Sequence, residues 1–462
     1  MNSLSAKKNK LFGTDGVRGT ANVEPVTAET ALKLGRAAAH WFKTTGDSRE
    51  HGRHRIIIGK DTRLSGYMLE NAIVAGITSM GVDAILVGPL PTPGVAYMTR
   101  SLRCDAGIVL TASHNSYEDN GIKFFRYDGY KLDDRIEGEI EELVFTGRID
   151  NIRPTATEVG KAMRIDDALG RYIEFVKFSV PRSLTLEGIR VIADVGHGAT
   201  YKSTPCVLRE LGAELIVLNN NPNGTNINDH CGSMYPEVIT AAVAQHGANI
   251  GISHDGDGDR VILVDEKGNL IHGDTILAIT ALAALKVGQL RNKTLVTTVM
   301  SNLALDHVIE NAGGKVVRTA VGDRYVIEKM VEIDASIGGE QSGHMIFRDY
   351  GTTGDGIVSA LQILRIMIET RKPLSELAAC LKLYPQVLKN VKVKSKPSLD
   401  EMPSVLELVH VAESDIGKKG RVLLRYSGTE PKVRLLVEGE DPLKVQNHAS
   451  RIAEKLSELI GV

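Results

Sequence analysis

Apolar and polar positions along the chain repeat one pattern three times. A helix-like segment ends at glycine, and a short, β-branched apolar run follows. The copies are 69–80 with Gly81 and VDAILVG, 201–211 with Gly212 and AELIVLNN, and 303–311 with Gly313, Gly314 and KVVRTAVG. Glycine just past a helix closes it in the left-handed conformation that other residues resist. RIIIGKD, GIVLTAS, IRVIADVG, ANIGIS and TLVTTVMS read as further buried strands with helical segments between them. Apolar strands without polar alternation, separated by helices, predict mostly parallel sheets covered on both faces. The pattern changes near the C-terminus. YPQVLKNVKVK and RVLLRYSGTEPKVRLLVEG predict strands, the second a pair joined by a loop. DPLKVQNHASRIAEKLSELI predicts one amphipathic helix, and 394–403 a loop. The expected architecture is α/β: three similar domains and a smaller C-terminal α+β domain around a central cleft. Boundaries are expected near 153, 254 and 372, giving domains 1–153, 154–253, 254–371 and 372–462.

Composition narrows the function classes. Hydrophobic residues make up 42% of the 462, enough to bury a core in each domain. A net charge of −2 gives no global reason to expect nucleic acid or an anionic membrane as partner. The basic run 7–10 reads as a solvated terminus. Cys104, Cys206, Cys231 and Cys380 lack CxxC spacing, which argues against zinc and a disulfide scaffold and fits a cytoplasmic protein. The longest apolar stretch, 276–285, falls short of the roughly 18 residues of a membrane span. No signal-peptide pattern opens the chain.

Four polar loops carry candidate chemistry. TASHN (111–115) follows an apolar strand, where α/β sheets present ligand-facing groups. Ser113 could act with His114 in a hydrolase, carry a phosphate, or simply build a turn. A GxSxG elbow is missing, which weakens the hydrolase reading. DGDGDR (255–260) sets Asp255, Asp257 and Asp259 at alternate positions, with glycines that let the backbone turn tightly. Three oxygen ligands without His or Cys suit Mg²⁺ or Ca²⁺. An EF-hand would also use Glu266 at its twelfth place, but Arg260 stands where that loop needs glycine, and the flanks read as strands. GGEQSGH (338–344) offers Glu340, Ser342 and His344 to sugar hydroxyls or an amine; a polar surface turn is the alternative. RYSGTEP (425–431) and Arg434 offer Arg425, Ser427, Gly428 and Thr429 to a phosphate dianion; a β-turn is the alternative. FGTDGVRG (12–19) brings Arg18, and GKDTRLSG (59–66) brings Lys60 and Arg63; neither is a nucleotide-binding loop.

In this order, the loops resemble those of the α-D-phosphohexomutases over nearly the whole chain. TASHN resembles the phosphoserine loop, DGDGDR the metal loop, GEQSGH the sugar loop and RYSGTEP the phosphate loop. LFGTDGVRG, DNGIKFF, PNGTNIN (222–228) and Gln341 point to the branch acting on glucosamine phosphates; a broad glucose/mannose branch is the alternative. Ser116, Asn223, Thr225 and His254 depart from the family pattern. A non-catalytic binding module is the reading from another class.

The resemblance implies a phosphoryl-transfer isomerase. Ser113 would carry a covalent phosphate, and one Mg²⁺ would be held by Asp255, Asp257, Asp259 and that phosphate. Arg18, Lys123 and Arg260 would add positive charge. His344 or Lys123 would move the proton of a sugar hydroxyl. Glu340 and Ser342 would bind the sugar, and Arg425, Ser427, Gly428, Thr429 and Arg434 its resident phosphate. A glucosamine or glucose 1,6-bisphosphate would be intermediate and activator. The implied partner is a small sugar phosphate feeding UDP-N-acetylglucosamine and peptidoglycan synthesis, and the resemblance admits a homodimer.

Overall fold

A computed structural model describes residues 10–13, 15–45, 52–427 and 431–462. These form two compact units, one of residues 1–299 and 317–378, the other of 300–316 and 379–462.

The first unit holds most of the repeated pattern. Its strands are β1 (Val17–Thr20), β2 (Arg55–Lys60), β3 (Asp83–Pro89), β4 (Ala106–Leu110), β5 (Asp119–Arg126), β6 (Ala162–Arg164), β7 (Arg190–Asp194), β8 (Glu214–Leu218), β9 (Ile250–His254), β10 (Val261–Asp265), β11 (Leu270–Ile271) and β12 (Thr294–Thr298). β13 (Lys315–Thr319), β14 (Ile337–Gly339) and β15 (Met345–Phe347) follow. Three sheets result, in the orders β1-β5-β4-β2-β3-β6, β11-β10-β9-β7-β8 and β13-β12-β14-β15. All three contain the same four-strand core: β5-β4-β2-β3, β10-β9-β7-β8 and β15-β14-β12-β13. In each, a parallel strand turns back into an antiparallel partner: β4 into β5, β9 into β10, β14 into β15. The sheets are therefore mixed: each has a parallel core and is antiparallel towards one edge, while the opposite edge strands β6 and β8 pair in parallel.

Central strands are apolar on both faces because helices cover both. Ile56, Ile57 and Ile58 of β2 are all fully buried. Helices Ala28–Thr44 and Ser65–Ser79 cross at two glycines. A Cβ on Gly35 would meet the Ile73 carbonyl oxygen at 2.6 Å, and one on Gly76 that of Leu32 at 2.3 Å. Larger residues there would push the helices apart.

The boundary expected at 254 falls inside the β9–β10 pair, where His254 lies opposite Val261. The aspartate turn is thus a hairpin tip of the second sheet, which continues to β11, rather than the start of a third domain. The expected boundary at 372 also differs: 300–316 joins 379–462 in the second unit.

In that unit, β16 (Gln386–Lys392), β17 (Arg421–Tyr426) and β18 (Lys432–Glu438) form an antiparallel sheet in the order β16-β18-β17. Helix Pro442–Ile460 lays Val445, Ala449, Ile452, Leu456 and Ile460 into its core, the spacing of one helical face. Asn302 pairs with the Tyr384 backbone, its Nδ2 donating to O at 2.9 Å and its Oδ1 accepting from N at 3.0 Å. Leu303 N donates to Glu438 Oε1 at 2.7 Å. No helix among the described residues is long and apolar enough to cross a membrane.

Candidate active site

The three hairpin tips of the first unit carry three of the loops singled out above. Ser113 lies past the end of β4, 2% exposed, with its backbone in the left-handed region at φ +52°. Thr111 Oγ1 accepts from Ser113 N at 2.9 Å. The Ser113 hydroxyl donates to Asp255 Oδ2 at 2.6 Å and stands 3.3 Å from His114 Nδ1. The serine and aspartate loops come this close because residue 256 is glycine: a Cβ there would sit 2.6 Å from the Ser113 carbonyl oxygen.

Asp255, Asp257 and Asp259 are all buried, with one oxygen from each lying within 4.8 Å of the others. Asp257 Oδ2 accepts from Thr92 Oγ1 at 2.7 Å and from Lys123 Nζ at 3.1 Å. Asp257 Oδ1 and Asp259 Oδ1 accept no hydrogen bond among the described residues. Burial and the neighbouring Asp259 and Asp257 charges push the Asp255 carboxyl well above the usual range. Orphaned carboxylate oxygens converging at this spacing fit a hard divalent cation such as Mg²⁺. The EF-hand alternative fails: Glu266 is spent on Ser375 N at 3.2 Å and on its hydroxyl, and β9 and β10 flank the turn.

Cations surround the cluster in fixed pairs. Lys123 on β5 is 2% exposed and lies 2.9 Å from Asp15, 3.1 Å from Asp257 and 4.0 Å from Asp259. Burial disfavours its ammonium, but the three carboxylates outweigh it and raise its pKa. Lys131 bridges Asp15 at 2.6 Å and Asp323 at 2.5 Å. Arg18 donates to Asp15 at 3.4 Å. Arg260 Nη1 meets His114 Nδ1 at 3.2 Å. Burial, then Arg260 and Arg18, push His114 down to about 4, so it is a neutral acceptor at pH 7.

His344, 2% exposed, sits between Asp259 (3.6 Å from Nδ1) and Asp323 (3.5 Å from Nε2). Burial opposes its imidazolium, whereas Asp259 and Asp323 favour it, with a net upward direction. The Gly354 N–H donates to Nε2 at 3.0 Å and works the other way. That geometry favours the neutral ring with its proton on Nδ1, facing Asp259.

Glu340 accepts from Gly322 N at 3.1 Å, and Ser342 is exposed beside it, with 3.5 Å between Oγ and Glu340 Oε2. Ser113, the three aspartates, Lys123, Arg18, Arg260 and His344 thus lie together at the hairpin tips. Asp15, Lys131, Asp323 and Thr92 were not singled out as site residues. Asp15 lay within FGTDGVRG, but nothing in the sequence pairs Lys131 with Asp323.

In the second unit, Arg425 of β17 stands directly opposite Arg434 of β18. Burial and Arg434 lower the Arg425 pKa, and its Nε donates to no partner among the described residues. Ser427 N donates to Lys432 O at 2.9 Å, and Lys396 Nζ donates to Ser427 O at 2.6 Å. Gly428 and Thr429 lie outside the described residues.

The family described as phosphoglucomutase/phosphomannomutase matches in four parts: alpha/beta/alpha domain I over 9–149, domain II over 170–268, domain III over 272–384 and the C-terminal domain over 388–455. A phosphoglucosamine mutase of Syntrophotalea carbinolica is 57% identical over 456 residues, 98% of this chain and 99% of the relative. The chain belongs to the phosphoglucosamine mutase family. Solved phosphohexomutases share the fold. A phosphoglucomutase/phosphomannomutase family protein of Burkholderia thailandensis superposes with a TM-score of 0.80 at 23% identity, covering 97% of each chain. N-acetylphosphoglucosamine mutase of Aspergillus fumigatus, solved with GlcNAc-6P and magnesium, gives 0.67 at 18% identity, over 98% of this chain and 97% of that one. As a phosphoglucosamine mutase, the chain is an isomerase of the intramolecular phosphotransferase class.

Proposed function

We propose that the protein interconverts glucosamine 6-phosphate and glucosamine 1-phosphate through a phosphoserine at Ser113. The observation that carries this reading is the 2.6 Å contact of the Ser113 hydroxyl with Asp255, at one corner of a buried carboxylate cluster with orphaned oxygens. Asp255, Asp257 and Asp259 hold Mg²⁺, which when bound offsets charge on the transferring phosphoryl group. Lys123, Arg18 and Arg260 supply fixed positive charge around the Ser113 phosphate. The sugar O1 attacks phosphorus: the O1–P bond forms, the Ser113 Oγ–P bond breaks, and His344 Nε2, giving up the Gly354 N–H, takes the O1 proton. The product is a 1,6-bisphosphate. After it turns round, the O6–P bond breaks as the Ser113 Oγ–P bond forms, O6 takes the proton back from His344, and glucosamine 1-phosphate remains. Glu340 and Ser342 bind the sugar, and Arg425, Ser427, Gly428, Thr429 and Arg434 hold whichever phosphate is not reacting. Burial around Ser113 protects the phosphoenzyme from water. Glucose or glucosamine 1,6-bisphosphate primes Ser113, and the product feeds UDP-amino-sugar synthesis in the cytoplasm.

The test measures kcat/KM on glucosamine 1-phosphate and glucose 1-phosphate with Mg²⁺ and a bisphosphate activator, using Ser113→Ala as blank. A preference above about tenfold for the amino sugar, roughly 1.4 kcal/mol of transition-state discrimination, is expected. Parity or reversal would make the protein a general phosphohexomutase. Turnover by folded Ser113→Ala would remove the phosphoserine.

A further inference from the structure

The sequence singled out two motifs that the mechanism above leaves without a role: GKDTRLSG in the first domain and PNGTNIN in the second. Arg63 and Asn228 from these motifs meet behind the serine loop. The Arg63 side chain is fully buried and ion-paired, with Nε donating to Asp61 Oδ2 at 2.9 Å. Its Nη2 donates to the Ser113 carbonyl at 2.9 Å and the Asn115 carbonyl at 2.8 Å, and its Nη1 to that of Ser116. From the other side, Asn228 Nδ2 donates to the same Ser113 and Asn115 carbonyls, both at 2.9 Å. Every donor-bearing nitrogen of the Arg63 guanidinium is therefore committed, and its charge is not free to hold a phosphate. Ser113 and Asn228 both have left-handed backbones, at φ +52° and +58°, and Asn228 N is fixed by Gly196 O at 2.9 Å.

A non-glycine residue stays in that backbone region only where its surroundings hold it there. Here five hydrogen bonds draw three successive or nearly successive carbonyls to one side of the loop. With the carbonyls turned back, the Ser113 Oγ is left facing Asp255. We propose that Arg63 and Asn228 are positioning residues: contributed by two domains, they clamp the loop carbonyls and so aim Ser113 Oγ at the carboxylate cluster. The proposal rests on the reading of Ser113 as the phosphorylated residue.

Asn228→Gly is the decisive variant, because glycine accepts the left-handed backbone and only the amide is lost. Asn228→Asp keeps the shape but replaces the donor by a carboxylate facing two carbonyls, and Arg63→Lys keeps a charge without the fork. Each full-length variant is assayed beside wild type and Ser113→Ala, with Mg²⁺ and glucose 1,6-bisphosphate. Readouts are kcat and KM on glucosamine 1-phosphate, melting temperature, and phosphate on Ser113 by intact mass. The expected result is a fall in kcat of about tenfold or more, KM within about twofold, and Asn228→Gly melting like wild type. An unchanged kcat in Asn228→Gly, a change confined to KM, or a fall that merely tracks lost folded protein overturns the proposal. If Arg63→Lys does not fold, the two Asn228 variants decide. Wild type without phosphate together with an active Ser113→Ala would instead overturn the phosphoserine reading.

Discussion

Buried charge is handled differently at the two polar centres of the chain. Around the aspartate cluster, cations and carboxylates alternate: Arg18, Asp15 and Lys123 run into Asp257, and Lys131 links Asp15 to Asp323. At the β17–β18 hairpin, two guanidiniums face each other across the strands. The first arrangement is mutually supporting and builds a rigid frame in which only a few carboxylate oxygens remain unmet. The second sets two like charges side by side, an arrangement that favours an arriving anion. A centre that performs chemistry needs geometry fixed before substrate arrives, whereas one that captures a phosphate needs positive charge gathered at one place.

The largest expected effect comes from adding to what is unmet. Asp257→Asn should lower kcat by about a hundredfold or more and shift the Mg²⁺ titration to higher concentration. An unchanged titration would remove Asp257 from the ligand set. Next, Lys131→Met takes from the half-buried Asp15 and Asp323 their shared cation, and should lower unfolding free energy in urea by about 1–2 kcal/mol. A loss near zero would mean that the alternating frame is not self-supporting. At the hairpin the comparison predicts the opposite balance. Arg425→Ala should raise KM for sugar phosphates about tenfold, yet leave stability unchanged or up to about 1 kcal/mol higher, as like charges are separated. A clear loss of stability would show that the contacts Arg425 makes outweigh its repulsion from Arg434.

Glu137 sharpens the comparison least but tests its logic. Burial pushes its carboxyl up to about 7, with Arg324 3.8 Å away only partly offsetting this. Between the ordinary value of 4.5 and about 7, the unfolded chain releases a proton that the native state keeps. The stabilisation is therefore full below about 4.5 and is lost as pH rises through 7. The melting temperature of Glu137→Gln relative to wild type should thus climb from pH 5 to pH 7 and level off above it. A flat difference would mean that Glu137 is compensated.

Much of this was legible in the sequence because continuous apolar runs such as Ile56–Ile58 allow little but buried strands. Glycines 81, 212 and 313 sit at positive φ just past their helices, as the repeat implied. The three loops were also placed correctly at strand ends. What escaped was pairing. The aspartate motif is a chemical landmark, and it drew a boundary at 254 across a hairpin that a local pattern does not reveal. Lys131 meets Asp15 and Asp323 from 116 and 192 positions away, a distance over which no periodicity speaks. The motif brings Arg63 just past a strand without saying what it meets, and only its partners show that it is spent on Asp61 and loop carbonyls.

The interleaving of 300–316 with the C-terminal residues decides how this polypeptide can be divided. Asn302 and Leu303, leading into helix Ala304–Asn311, and His307 within it bond to Tyr384 and Glu438, far downstream. A chain ended at 378 would keep that helix while losing what covers it, and a chain begun at 379 would lack it. Neither piece is a natural folding unit. A separable C-terminal module would have to carry residues 300–316 grafted onto it, so gene fusions and split-protein reporters should be placed at surface turns such as that near Lys267 and Gly268 rather than at this seam.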